Sequence, residues 1–104
     1  MKRSKFGAVK VIIDGIKFDS KAEGRRYGQL KLLEIAGEIT KLELQPRYDL
    51  IINDVKCGFY KADFRYLDNG KLVVEDVKGM KTPIYNLKKK LVKAIYGIDI
   101  FETK

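Results

Sequence analysis

The chain has 104 residues, which is the size of a single domain, and its 45% hydrophobic content is ordinary for a globular protein. Its net charge of +8 favours a polyanionic partner. It contains no histidine, which excludes Ser-His and Cys-His catalysis, histidine zinc sites and enzymes that need a histidine base.

The elements can be predicted in chain order. Residues 10–18 form a hairpin that turns at Asp14-Gly15, and a helix opens at Asp19-Ser20 and runs to about Ala36, with Gly37 as its C-terminal cap. The later predicted elements are strands at 39–44, 48–52, 59–67 and 72–77, a helix at 84–96 after Pro83, and a short strand at 98–101. This order predicts an α/β fold with a mixed sheet flanked by two main helices.

We predict one domain over residues 1–104, with residues 1–9 as a flexible basic N-terminus. No apolar run approaches the ~20 residues that cross a bilayer, and the N-terminus lacks the apolar core of a signal peptide. The single cysteine, Cys57, cannot form an internal disulfide and is expected in the core. These features predict a cytoplasmic protein with no membrane partner.

A carboxylate and an ammonium end an otherwise apolar strand face. Leu72, Val74, Asp76 and Lys78 share this face by period-2 alternation, whereas Glu75 points the opposite way. Burying either charge alone is costly, so the two should pair, bind a metal or lie at a cleft. The alternative is a surface ion pair at the strand end, which stabilises little.

Two more acidic residues could join this pair. Asp63 lies on the strand at 59–67, opposite a core face formed by Tyr60, Ala62, Phe64 and Tyr66, and could equally face solvent. Glu23 fits a capping box that begins at Ser20, but it also shares a buried stripe with Tyr27 and Leu30. Carboxylate oxygens are the ligands that Mg²⁺ prefers. The lysine could orient or deprotonate water, or stabilise charge on a phosphate.

The positive charge is unevenly distributed. The segment 77–93 carries six lysines and no acid. The predicted DNA-binding residues are Arg25, Arg26, Lys81, Lys88, Lys89, Lys90 and Lys93, for which a solvated helix face is the alternative. A membrane surface could also attract the segment 77–93, but no amphipathic anchor with large exposed apolar residues accompanies it. Leu87, Leu91, Ala94 and Ile95 are expected to form the buried stripe of the second helix. Gln45 is a candidate neighbour of the site or a simple turn residue.

The combined pattern resembles the PD-(D/E)XK nuclease superfamily. The resemblance spans about residues 18–101 and rests on an ordered set of motifs: Phe18-Asp19-Ser20-Lys21-Ala22-Glu23, Leu44-Gln45-Pro46, Tyr60-Lys61-Ala62-Asp63-Phe64 and Val74-Glu75-Asp76-Val77-Lys78-Gly79. The chain is most similar to small phage- and prophage-encoded proteins of unknown function, which are similar to Holliday junction resolvases. Ala62 stands where the name-giving proline of the superfamily would be.

The resemblance implies a restriction-endonuclease-like core and Mg²⁺-dependent hydrolysis of DNA, with Mn²⁺ able to substitute. It implies that Asp63, Asp76 and the carbonyl of Val77 bind the metal, that Glu23 contributes directly or through water, and that Lys78 is the catalytic lysine. A homodimer and a bacterial host cell are expected from the same kinship. The rival hypotheses are a non-catalytic basic nucleic-acid-binding protein and a module that docks an acidic protein.

Overall fold

The computed structural model describes residues 9–78 and 81–104. The elements found there are β1 (Val11–Ile13), β2 (Ile16–Phe18), α1 (Lys21–Ile35), β3 (Ile39–Leu44), β4 (Arg47–Ile52), β5 (Val55–Lys61), β6 (Phe64–Asp68), β7 (Lys71–Val77), α2 (Pro83–Tyr96) and β8 (Phe101–Thr103). They confirm an α/β fold with a mixed sheet and two main helices. The predicted flexible N-terminus lies outside the described residues apart from Val9, and so does Gly79.

The central sheet has four strands in the order β3-β6-β7-β8. Its first three strands are antiparallel, and β8 returns after α2 to pair in parallel with β7. Neighbouring residues of β7 serve opposite faces: Val73 packs on the α1 side, and Val74 on the α2 side. The sheet therefore separates two hydrophobic cores.

The first core lies between α1 and the sheet and is built from Phe18, Tyr27, Leu30, Ile39, Phe64 and Tyr66. The second lies under α2 and combines Tyr48, Leu50, Tyr60, Ala62, Val74, Tyr85, Val92 and Ile100. The amphipathic prediction for α2 was partly wrong, since Leu87 and Ala94 are exposed whereas Leu91 and Ile95 pack against this core.

A bend divides the predicted strand at 59–67 into β5 and β6, which belong to different sheets. At the bend, Gln45 adopts a left-handed φ of 51°. Its N–H donates to the Asp63 carbonyl at 2.9 Å, and the Ala62 N–H donates to Pro46 at 3.1 Å. Backbone hydrogen bonds therefore continue across the bend, while the side chains before and after it enter different cores. Tyr60 and Ala62 join one core and Phe64 and Tyr66 the other, so the prediction of one shared face was wrong.

Local capping fixes both helices where the sequence predicted them. The Ser20 hydroxyl accepts from the Glu23 N–H at 3.1 Å, and the Thr82 hydroxyl accepts from the Tyr85 N–H at 3.1 Å. After α1, Gly37 and Glu38 donate to Glu34 and Leu33 in a Schellman arrangement. No helix within residues 9–78 and 81–104 is long and apolar enough to span a membrane.

Two further predictions need correction. The last strand is Phe101–Thr103 rather than residues 98–101, because its pairing begins only where Phe101 comes level with Glu75 on β7. Cys57 is exposed on β5 rather than buried, because this part of the β4–β5 hairpin extends beyond the core.

Candidate active site

Asp63 lies at the bend between β5 and β6, half-buried and held by the backbone on two sides. Its N–H donates to the Glu75 carbonyl at 3.1 Å. Its Oδ2 accepts a hydrogen bond from the Val77 N–H at 2.7 Å. The bend directs the carboxyl group toward the end of β7, where the neighbouring Asp76 raises its pKa. The two acidic residues that the sequence places thirteen positions apart are therefore neighbours in the structure.

Asp76 is 1% exposed and lies on the α2 side of β7. The Tyr60 hydroxyl donates a hydrogen bond to its Oδ2, and the Lys78 ammonium lies 3.3 Å from its Oδ1. The Lys78 ammonium also lies 4.4 Å from the centre of the Tyr85 ring. The Lys78 N–H donates to the Thr103 carbonyl at 2.8 Å, so β8 fixes the backbone at this position. The prediction that Asp76 and Lys78 share a face is confirmed.

Glu23 approaches the same cluster from α1. It is 7% exposed, and its side chain neighbours Asp63. Its own N–H donates to the Ser20 hydroxyl, so the residue takes part in the helix cap while its side chain is buried beside the cluster. Burial, Asp19 and Asp76 raise the pKa of the Glu23 carboxyl, which shows that it lies among like charges.

The cluster carries more negative charge than its protein partners neutralise. Burial and the neighbouring Asp76 carboxylate raise the pKa of Asp63 to about 8, despite the hydrogen bond from Val77. Lys78 supplies a single positive charge against the carboxyl groups of Glu23, Asp63 and Asp76. A cation that binds between these carboxylates would relieve the repulsion.

The residues fit a hard divalent ion by chemistry. All the candidate side-chain ligands are carboxylate oxygens, which Mg²⁺ and Mn²⁺ prefer. Within the described ranges, however, no group of three or more Asp, Glu or Cys residues is preformed as a metal site. Val77 occupies one oxygen of Asp63, and Tyr60 and Lys78 occupy those of Asp76. Lys78 holds the place of a cation beside Asp76.

Glu75 is satisfied on the opposite face of β7. It is fully buried, and Arg26 binds it through two nitrogens at 2.6 and 3.0 Å. Tyr66 and Thr103 donate to the same carboxylate at 2.7 and 3.0 Å. These contacts support the choice of Asp76 over Glu75 as the site carboxylate. They also bind the Arg26 side chain to Glu75, although Arg26 was predicted to contact DNA. The other predicted contact on this helix, Arg25, is exposed.

A family model described as "Protein of unknown function (DUF1064)" matches residues 3–100. The chain belongs to this family. Comparisons with curated proteins and with solved structures find no match. The DUF1064 match includes Glu23, Asp63, Asp76 and Lys78, so the whole cluster lies within the part of the chain that defines its membership.

The lysines of this DUF1064 protein are partly paired in three dimensions, although their segment of sequence lacks acids. Lys81 and Lys89 contact Glu102, and Lys93 contacts Asp99 at 2.8 Å. Lys88 turns the other way and lies 5.5 Å from the centre of the Phe59 ring. Lys90 is exposed. The predicted basic surface is therefore divided between two sides of α2.

Sequence reasoning missed three residues around the cluster of this DUF1064 protein. Tyr60 binds Asp76, Tyr85 lies beneath Lys78, and Glu102 binds two lysines. Alternation predicted that Tyr60 is buried but carried no sign of its acidic partner. Glu102 reaches the site only because β8 pairs with β7 opposite Asp76. Gln45 is exposed and adjoins the site through its backbone bond to Asp63.

Proposed function

We propose that this DUF1064 protein is a metal-dependent DNA endonuclease with a restriction-endonuclease-like core. The observation that carries the proposal is the position of Asp63 beside the buried Asp76, whose carboxylate lies 3.3 Å from the Lys78 ammonium. Perturbed carboxyl groups in such a cluster are typical of catalytic sites. The ordered motifs shared with PD-(D/E)XK nucleases and the net charge of +8 support the same function.

Asp63, Asp76 and the Val77 carbonyl would hold Mg²⁺, with Glu23 acting directly or through water. When bound, the ion would supply Lewis-acid stabilisation of phosphate charge and make water a stronger nucleophile. Lys78 would give up its contact with Asp76 and donate to the attacking water or to a phosphate oxygen. Tyr60 would keep Asp76 in position by its hydrogen bond to Oδ2. The ring of Tyr85 would hold the Lys78 ammonium near the reacting phosphate.

The substrate is proposed to be DNA, including branched forms such as Holliday junctions, in the cytoplasm of a bacterial host. A symmetric homodimer would supply the two active sites that paired cuts require. Light scattering with and without DNA tests the dimer, and a monomer under both conditions would contradict it.

The function is tested by incubating duplex, single-stranded, flapped and four-way-junction DNA with the protein in Mg²⁺, Mn²⁺ or EDTA. We expect cleavage that needs the metal and falls at least ~100-fold in Asp76→Asn, since that change removes a charged ligand but keeps an acceptor for Tyr60. The matched control is Asp54→Asn. It makes the same chemical change in an exposed turn whose φ of 64° asparagine tolerates.

Equal cleavage by wild type and Asp76→Asn would overturn the proposed mechanism. The rival function, nucleic-acid binding without catalysis, is favoured by the protein partners that already hold the Asp76 oxygens. It predicts binding to every substrate, with no metal-dependent product on any of them.

A further inference from the structure

Two lysines converge on one carboxylate oxygen next to the candidate active site. The ammonium groups of Lys81 and Lys89 lie 3.0 and 3.2 Å from Oε1 of Glu102. Because they share this oxygen, they lie close enough to bind one phosphate group between them. The side chain of Glu102 is 17% exposed, whereas those of Lys81 and Lys89 are 55% and 38% exposed. The lysines thus present their charge outward from a carboxylate at their base.

Tyr85 connects this lysine pair to the catalytic lysine. Its hydroxyl donates to Oε2 of Glu102 at 2.7 Å, and its ring lies beneath the Lys78 ammonium. Glu102 is also the residue directly opposite Asp76 across the β7–β8 pair. Lys78 therefore contacts the Tyr85 ring, and the lysine pair is connected to the Tyr85 hydroxyl through Glu102. On this arrangement the pair would lie near the phosphate that Lys78 would contact.

A groove continues from the pair along α2. It has a volume of about 520 Å³ and is lined on the helix side by Asn86, Lys89, Lys90 and Lys93. Ile98, Asp99 and Ile100 form the other wall. Lysines outnumber acids along it, and Asn86 offers further hydrogen-bonding groups. The ammonium groups along this lining could contact successive phosphates of an extended chain.

We propose that the groove along α2 binds the DNA backbone flanking the cleaved bond, with the Lys81–Lys89 pair as its first phosphate subsite. Glu102 holds this subsite in the free protein as a stand-in for the phosphate. The inference rests on the proposed function, because it names the path of the substrate from that same site. It also limits the contacts to one side of α2, since Lys88 packs over Phe59 on the other.

The test compares two double variants that each remove two charges and two salt bridges. Lys89→Gln with Lys93→Gln alters the groove, and Lys31→Gln with Lys56→Gln is the control, since those lysines pair with Glu34 and Asp49 elsewhere. Binding of labelled duplex DNA is measured by fluorescence anisotropy in EDTA at several salt concentrations. We expect the groove variant to lose about tenfold in affinity and to lower the salt slope by about 2, and the control to change little.

Glu102→Gln gives a test of opposite sign. It removes the competing charge but keeps an acceptor for Tyr85, so duplex DNA should bind several-fold more tightly than to wild type. Equal losses in the two double variants, or weaker binding by Glu102→Gln, would overturn the groove. Failure of the nuclease is seen separately, as binding without metal-dependent cleavage, because the groove is tested by binding alone.

Discussion

At the scale of single residues, the cluster combines charges that the fold does not balance. Asp63 lies between Asp76 and Glu23, and its pKa is raised to about 8, chiefly by burial and by Asp76. In the unfolded chain the Asp63 carboxyl has a pKa of about 3.9 and loses its proton above that pH. The folded protein keeps this proton up to about pH 8. The folded state becomes less favourable as pH rises from about 4 to about 8.

The change Asp63→Asn should remove this cost, because asparagine can accept from Val77 and places no charge beside Asp76. We expect the free energy of unfolding of Asp63→Asn, relative to that of wild type, to increase by up to a few kcal/mol from pH 5 to pH 9. Urea unfolding of both proteins at the two pH values measures the difference. A stability difference that is the same at both pH values would contradict the assigned protonation.

Because Asp63 is a proposed metal ligand, Mg²⁺ at pH 8 should raise the Tm of wild type but not that of Asp63→Asn.

At the scale of elements, α1 is fixed to the sheet by polar and apolar contacts together. Arg26 meets the fully buried Glu75 through two hydrogen bonds, while Tyr27 and Leu30 enter the core. A paired buried carboxylate is tolerated, but one left without its partner is strongly unfavourable. This contact is the main polar link between the helix and β7.

Arg26→Met should therefore destabilise the fold by about 3–5 kcal/mol, since it leaves the charge of Glu75 uncompensated. Arg25→Met, at an exposed position of the same helix, should stay within about 0.5 kcal/mol of wild type. Urea unfolding measures both. Adding Glu75→Gln to Arg26→Met should restore part of the loss, and no recovery would contradict a charge-based role.

The two glycines of α1 provide a contrast in packing. A Cβ at Gly24 would lie 2.8 Å from side-chain carbons of Ile13 and Val11, whereas one at Gly28 would meet nothing within 4 Å. Gly24→Ala should cost about 1–3 kcal/mol by forcing the β1–β2 hairpin outward. Gly28→Ala should add up to about 1 kcal/mol of stability through helix propensity. Thermal unfolding distinguishes them, and equal effects would show that the hairpin yields without cost.

Local signals were sufficient to predict most elements. Asp14-Gly15, the Ser20 cap and Pro83 with Gly97 placed the hairpin and both helices to within a few residues, because capping and turn geometry depend on near neighbours. The bend at Ala62-Asp63 could not be predicted in this way. The bend depends on backbone hydrogen bonds from Asp63 to Gln45, between β3 and β4, and to Glu75 in β7, and both residues are distant in sequence.

At the scale of the whole molecule, charge is arranged by contacts across the fold. The order of motifs predicted that Glu23, Asp63, Asp76 and Lys78 would meet, and the structure brings them together. It could not predict that Glu102 and Asp99 would pair with the lysines of α2, because those pairs depend on how β8 returns to the sheet. The net charge of +8 is therefore a poorer guide to the surface than the pairing is.

The bend between β5 and β6 determines how the carboxylate cluster comes apart on unfolding. Asp63 is bound through its carbonyl to Gln45, through its N–H to Glu75 and through its carboxylate to Val77, so that β7 and the turn between strands β3 and β4 hold one residue. No loop can release it while those strands remain paired. Disassembly of the carboxylate cluster and global unfolding are thus a single cooperative event, and amide hydrogens at the bend exchange with solvent only as fast as the sheet itself opens.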